Sequence, residues 1–121
     1  MSAVVPTLET LQEFAASPDT GPFVMVNLLK FAPNGGRETY ARYGQGMESI
    51  LAKHGAHSVY IGRFAELLIG EAPWDAIALV EYPSRQVFLE MIASPEYQTV
   101  RGDREGGLER TVLYATTPGT L

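Results

Sequence analysis

Cysteine is absent from the 121-residue sequence, which excludes disulfides, thiol catalysis and cysteine-based metal sites. Histidine is scarce, because His54 and His57 are the only two in the chain. The first is expected at the end of a helix and the second at the start of a strand, so they would not point at one ion. Two ligands without a third are also weak evidence for a metal site. We therefore predict no metal, haem or organic cofactor.

Basic residues are outnumbered, with 9 Lys and Arg against 14 Asp and Glu and a formal net charge of −5. A nucleic-acid surface needs clustered Lys and Arg, so no such partner is expected. No apolar run is long enough to span a bilayer, and the first ten residues lack the basic start of a signal peptide. Hydrophobic residues make up 45% of the sequence. We therefore expect one packed domain over residues 1–121, located in the cytoplasm.

Hydrophobic periodicity predicts a β-α-β-β-α-β order after a short N-terminal helix. In an α+β, ferredoxin-like fold this order gives a four-stranded antiparallel sheet, and right-handed crossovers place both helices on one face of it. The predicted segments are a helix at 7–16, a strand at 23–31, a helix at 37–54, strands at 57–70 and 74–82, a helix capped by Ser84, a helical segment from Pro95 to about Gly102 followed by a polar turn or second short helix, and a strand at 110–117.

The strands at 23–31 and 74–82 are apolar on both alternating sets of positions. Such strands are typical of sheets that are covered on both faces. The two helices cover only one face, and an exposed apolar sheet face is a large liability. The simplest cover is the same face of a second copy in a two-fold dimer. The sequence therefore predicts a homodimer.

Four stretches of the chain resemble a known family: VNLLKF at 26–31, YARYG at 40–44, WDAIALVEYPS at 74–84 and SPEYQ at 94–98. Together they resemble the domain of unknown function 1330 family of the dimeric α/β-barrel superfamily. The resemblance implies a ferredoxin-like subunit that dimerises through its sheets into an α/β barrel. The wider superfamily includes cofactor-free monooxygenases, haem-dependent enzymes and isomerases, so a reaction follows only by analogy of fold. The resemblance transfers no catalytic residue to this chain, and the catalytic residues stay unknown.

Asn27 interrupts an apolar strand that is expected to be central. A buried amide must be hydrogen-bonded, so this side chain either holds nearby backbone or polarises a substrate carbonyl in an apolar cavity. Tyr40 and Tyr43 fall on the inward stripe of helix 37–54, where their rings serve as core and their hydroxyls could line a pocket mouth. Trp74 opens the strand after the turn and could close the end of the barrel.

Tyr97, Arg101 and Arg104 follow one another at i, i+4 and i+7 on the predicted helical segment. One interpretation is a solvated face on which Arg101 pairs with Glu105. The other is a cationic lip that receives a carboxylate or phenolate ligand. The predicted ligand site comprises Asn27, Tyr40, Tyr43, Trp74, Tyr97 and Arg101.

Two functions are compatible with these patterns. The first is a homodimer that binds a small organic molecule, with an anion suited to the cationic lip, in a cavity between sheet and helices. Catalysis there would be cofactor-independent and oxygenase- or isomerase-like by analogy of fold. The alternative is a non-enzymatic dimerisation or partner-binding protein whose core is filled by its own aromatic residues. No Ser-His-Asp arrangement, phosphate-binding loop or dinucleotide-binding motif is present.

A strand register follows if residues 71–73 form a short hairpin loop between strands 57–70 and 74–82. Arg63 then lies directly opposite Glu81 on one face of the sheet. Each charge would be costly to bury alone. The register therefore predicts a structural ion pair between Arg63 and Glu81, which offsets its own desolvation and adds little net stability.

Overall fold

The computed structural model describes residues 4–71, 73–119 and 121. After a leading helix the elements follow the β-α-β-β-α-β order, with the second helical region split into two helices at Ser94. None of the helices in the described ranges is long and apolar enough to cross a membrane. The elements are α1 (Leu8–Ala15), β1 (Phe23–Phe31), α2 (Gly36–Lys53), β2 (His57–Arg63), β3 (Ala76–Tyr82), α3 (Arg85–Ala93), α4 (Pro95–Gly107) and β4 (Leu108–Thr116).

The four strands form one antiparallel sheet in the order β2-β3-β1-β4. This is the ferredoxin-like arrangement, so the predicted fold class is confirmed. β1 is central, with β3 on one side and β4 on the other. Asn27, on β1, pairs with Ala78 on β3 and Leu113 on β4. The middle of the sheet therefore carries this amide.

Three hydroxyl side chains cap the helices whose starts the sequence predicts. Thr7 accepts a hydrogen bond from the Thr10 amide at 3.1 Å, and Ser84 accepts one from the Val87 amide at 3.1 Å. Ser94 ends α3 and begins α4, because its Oγ donates to the Met91 carbonyl and accepts from the Tyr97 amide. Each bond satisfies a backbone group that has no partner inside its helix.

Helix α4 runs without a break to Gly107, so the predicted end near Gly102 is wrong. The reason is its packing along α2. A Cβ on Gly46 of α2 would lie 2.7 Å from Cγ1 of Val100, so the two helices approach closely there. Tertiary contact of this kind outweighs the weak helix propensity of glycine. The continuous helix fixes Tyr97, Arg101 and Arg104 on one rigid element.

Strand β2 ends at Arg63, and residues 64–70 are outside the sheet, so the predicted long strand is wrong. Arg63 lies opposite Ala76, on the helix-facing side, and the register shifts between Ser58 and Tyr60. Glu81 lies opposite His57 on the other face, with Oε1 of Glu81 3.4 Å from Nε2 of His57. The predicted Arg63–Glu81 ion pair is therefore wrong, because the connection between the strands spans 64–75 instead of three residues.

The helices cover one face of the sheet with a core of aromatic and sulfur-containing side chains. Phe23 is completely buried, its ring centroid is 5.5 Å from that of Tyr82, and Phe14 of α1 packs edge-on against it at 5.6 Å. Tyr82 in turn meets Phe88 edge-on at 5.1 Å. Such aromatic pairs add to the stabilisation from buried area. These side chains pack around the end of the sheet where Phe23 pairs with Tyr82, and they leave space beside Asn27.

The opposite face of the sheet, here called the outer face, carries side chains that none of the helices in the described part of the chain covers. Val26 is at its centre, between Leu79 on β3 and Tyr114 on β4. These side chains are half-buried or exposed although they are apolar or aromatic. Its apolar and aromatic side chains are those of Val24, Val26, Leu28, Tyr60, Ile77, Leu79, Val112 and Tyr114, and the charged or titratable Lys30, His57, Glu81 and Arg110 lie on the same face.

Candidate ligand site

A cavity of about 320 Å³ lies on the helix-facing side of β1 and β4, under α3 and α4. Its walls are mainly apolar, and the polar side chains reach it from β1, α2, β3 and α4. A second, more open cleft of about 800 Å³ lies between α2 and strands β1 to β3. Asn27, Tyr43 and Tyr82 line both spaces. The smaller cavity is bordered by Val5, Pro6, Leu11, Met25, Asn27, Tyr43, Tyr82, Phe88, Met91, Ile92, Tyr97, Arg101, Arg104, Glu105 and Leu113.

The Asn27 amide nitrogen is engaged with backbone. Its Nδ2 donates to the Ala78 carbonyl at 3.2 Å and, at a longer 3.5 Å, to the Met25 carbonyl. Because both neighbours are carbonyl oxygens, the amide orientation is fixed with nitrogen toward the backbone. The structural role foreseen for Asn27 is therefore present. Only Oδ1 is left for a ligand, and an oxygen accepts hydrogen bonds and cannot polarise a carbonyl.

The tyrosines of the site form a connected aromatic group. Tyr40 and Tyr43 of α2 are 5.2 Å apart between ring centroids, and Tyr43 meets Tyr97 edge-on at 6.4 Å. Burial raises the pKa of Tyr40 to about 12, with a smaller opposing effect from Arg104. Burial likewise raises the pKa of Tyr43 and of Tyr82 well above the usual value. These three phenols are neutral at physiological pH and offer hydroxyl groups, not phenolates.

Arg101 lies at the cavity mouth but is exposed and already paired. Its Nε is 3.2 Å from Oε2 of Glu105, and its Nη1 donates to Oε1 of Gln98 at 3.0 Å. The pair between Arg101 and Glu105 that the spacing suggests is therefore present. Exposed pairs of this kind are weak, so Arg101 is a peripheral member of the site.

Two of the six predicted site residues lie outside the smaller cavity. Tyr40 borders the cleft between α2 and the sheet. Trp74 lines neither space, and instead its ring lies under the Arg110 guanidinium at 4.7 Å from the ring centroid. It also precedes β3, which begins at Ala76. The structure thus brings Asn27, Tyr43, Tyr97 and Arg101 to one cavity and separates Trp74 from them.

Arg104 is the residue that the sequence-based site omits. It lies one turn beyond Arg101 on α4 and is buried, with 6% of its surface exposed. Its Nη1 donates to the Val4 carbonyl, whereas its Nη2 is buried without a partner among the described residues. The i, i+4, i+7 spacing did place Arg104 on this stripe. The backbone segment before α1 that covers it gives no signal in the sequence.

No group of three or more His, Asp or Glu side chains within 4–71, 73–119 and 121 is arranged to hold a metal ion. His54 caps the end of α2, and His57 faces Glu81 on the outer face. The two histidines therefore do not converge. The absence of a cofactor stays a prediction from the sequence.

Comparison with known proteins gives a family and a fold. A family profile described as a domain of unknown function, DUF1330, matches residues 35–117. A protein of unknown function from Rhodopseudomonas palustris is 31% identical over 100% of both chains, with a TM-score of 0.91. No functionally curated protein sequence matches.

More distant structures share the fold alone. A dabb family protein with a ferredoxin-like fold from Mesorhizobium loti is 13% identical, with a TM-score of 0.61 over 83% of this chain and 99% of the other. A protein from Bacteroides fragilis, described as dimeric, of unknown function and with a ferredoxin-like fold, is 14% identical. Its TM-score is 0.58 over 79% of this chain and 95% of that one.

Proposed function

The chain belongs to the domain of unknown function 1330 family, and from its fold and cavity we propose that it is a cytoplasmic homodimer that binds a small organic molecule. The observation that carries the proposal is the 320 Å³ cavity, in which apolar walls surround a few polar groups. Small-molecule sites have this composition and a volume of this order.

The proposed dimer is supported by the outer face. Val26, Leu79 and Tyr114 meet across three neighbouring strands with no helix above them. A contiguous apolar face of this kind is typical of an interaction surface. A second copy offers the same surface, and a two-fold axis lets both copies bury it together. The Bacteroides fragilis relative of similar fold is described as dimeric.

The connection between β2 and β3 supplies further exposed apolar surface. Leu68 is 90% and Ile69 is 94% exposed, and Phe64 and Leu67 are about half exposed. Four large apolar side chains exposed to solvent within six residues are unfavourable in an isolated subunit. We expect the second copy to cover this segment as well as the outer face.

The cavity favours ligand binding over the alternative of a core filled by aromatic side chains. Its tyrosines line the space without filling it, and two of them, Tyr43 and Tyr82, hold neutral hydroxyls there. Neutral hydroxyls, an amide oxygen and a guanidinium can orient a small molecule without metal or covalent chemistry. Within this proposal, any reaction is cofactor-independent and depends on positioning.

A cavity-filling substitution tests the proposal. Leu113 lies on β4 at the cavity wall, so Leu113→Trp should occupy ligand space, whereas Leu113→Met conserves volume and should leave it open. We expect fragments from a mixed neutral and anionic ¹⁹F-labelled set to bind the wild type and Leu113→Met. Their affinity for Leu113→Trp should fall at least about ten-fold, which corresponds to about 1.4 kcal/mol.

Circular dichroism should show that both Leu113 variants are folded. Equal fragment affinity for folded Leu113→Trp and wild type would place binding elsewhere. Absence of any fragment binding to the wild type at millimolar concentration would support the alternative function.

A further inference from the structure

The cavity holds a buried positive charge with incomplete pairing. Arg104 is buried, with only 6% of its surface exposed to solvent. No Asp or Glu carboxylate among the described residues lies within ion-pair distance of it, and the adjacent Glu105 is paired with Arg101 instead. Among the residues that the structure describes, its one hydrogen bond runs from Nη1 to the neutral Val4 carbonyl. Nη2 has no partner in the described part of the chain.

A guanidinium in this state is costly in the ligand-free protein. An unpaired buried charge is strongly unfavourable. The surrounding phenols do not neutralise it, because Tyr40, Tyr43 and Tyr82 keep their protons. Carboxylates are the usual partners of buried arginines, since the planar guanidinium donates two parallel hydrogen bonds to them.

We propose that the cavity binds a small monocarboxylate whose carboxylate oxygens accept from Arg104 and whose apolar body packs against the walls. This inference rests on the proposed ligand-binding function and specifies its ligand class. Phe88, Met91 and Leu113 form walls suited to an aliphatic or aromatic body. Oδ1 of Asn27, which lines the same space, is an acceptor for a hydroxyl on that body.

A monocarboxylate fits better than a phosphate ester. The cations that line the cavity are Arg104 and Arg101, and Arg101 is exposed and paired to Glu105 at 3.2 Å. One guanidinium nitrogen, Nη2, has no partner among the described residues and is matched by a single carboxylate. A phosphate ester carries nearly two negative charges and is matched by clustered arginines, whereas the second arginine of this cavity is already paired.

The test compares benzoate with benzamide, its neutral analogue of nearly the same shape, by isothermal titration calorimetry. The wild type should bind benzoate at least ten-fold more tightly than benzamide, and phenyl phosphate should bind more weakly than benzoate. Arg104→Gln should reduce benzoate affinity by 10- to 100-fold and leave benzamide affinity within about two-fold, because a hydrogen bond to a charged group contributes about 1.5–3 kcal/mol. Arg104→Lys keeps the charge and should retain part of the preference.

The matched control is Arg42→Gln, which removes the same charge from the exposed side of α2, where Arg42 pairs with Asp103. It should leave the affinities for both probes unchanged. Equal wild-type affinity for benzoate and benzamide overturns the carboxylate inference and leaves the proposed function standing. Benzoate binding that survives in folded Arg104→Gln also overturns it. Failure of both probes to bind the wild type counts against the inference and the proposed function together.

Discussion

Val26→Lys is expected to abolish the proposed homodimer. Val26 lies at the centre of the outer face, flanked by Leu79 and Tyr114. A two-fold interface would bury this lysine from both copies, and an unpaired buried charge costs several kcal/mol. We therefore expect the dissociation constant to rise by more than about 10³-fold, the equivalent of about 4 kcal/mol. Analytical ultracentrifugation at micromolar concentration should show a monomer.

Val26→Ile is the matched control for this prediction. It keeps an apolar β-branched side chain on the same strand and should preserve the dimer. Far-ultraviolet circular dichroism should establish that the lysine variant keeps its sheet, because an unfolded variant would dissociate for a different reason. A folded Val26→Lys variant that sediments like the wild type would contradict the proposed interface.

Gly107→Ala is expected to destabilise the subunit, because helix α4 ends against the start of α2 with backbone touching backbone. A Cβ on Gly107 would lie 2.8 Å from the Tyr40 amide nitrogen and 2.9 Å from the Gly36 carbonyl oxygen. The Gly107 carbonyl also accepts from the Ala32 amide at 2.8 Å. Because these neighbours are backbone atoms, they cannot move aside as the end of a flexible side chain could. We expect a loss of about 1–3 kcal/mol in the free energy of unfolding, measured by urea denaturation.

Gly44→Ala provides a control of opposite sign. Gly44 lies inside α2, and no atom lies within 4 Å of the position where its Cβ would be. Removing a flexible glycine from an open helical position should stabilise the protein by up to about 1 kcal/mol. Stabilisation in both variants would show that the Gly107 contact does not limit the approach of the helices.

The fold could be predicted because local signals and global patterning agree in this chain. Thr7, Ser84 and Ser94 are short hydroxyl residues ahead of segments with helical periodicity, and all three cap helices. The strand predicted at 23–31, which is apolar on both alternating sets of positions, is the central strand β1. Consistent signals of this kind specify one topology.

The end of β2 could not be predicted, because it depends on contacts far apart in sequence. The Asp75 amide donates to the Leu29 carbonyl at 2.8 Å, and Oδ2 of Asp75 accepts from the Phe31 amide at 2.9 Å. Both bonds hold the chain against β1. Residues 64–70 are apolar enough to read as strand, but no neighbouring strand continues beside them. Composition predicted an element that lacks a pairing partner.

The candidate site was predicted only in part, for a similar reason. Periodicity placed Tyr43 and Tyr97 toward the interior, and the structure brings both to the cavity. Arg101 and Arg104 are chemically alike in the sequence, yet one is exposed and the other buried. The difference arises from Val4, which is distant in sequence and whose carbonyl accepts from Nη1 of Arg104. A helical stripe cannot show which of its members another segment covers.

Native mass spectrometry of the wild-type protein with benzoate reports subunit number and bound small molecules in one spectrum. We expect a species of twice the chain mass that carries one benzoate per subunit, or one retained small molecule in its place. A species of single-chain mass at micromolar concentration would contradict the dimer. A dimer that stays free of any small molecule would contradict the role proposed for the cavity.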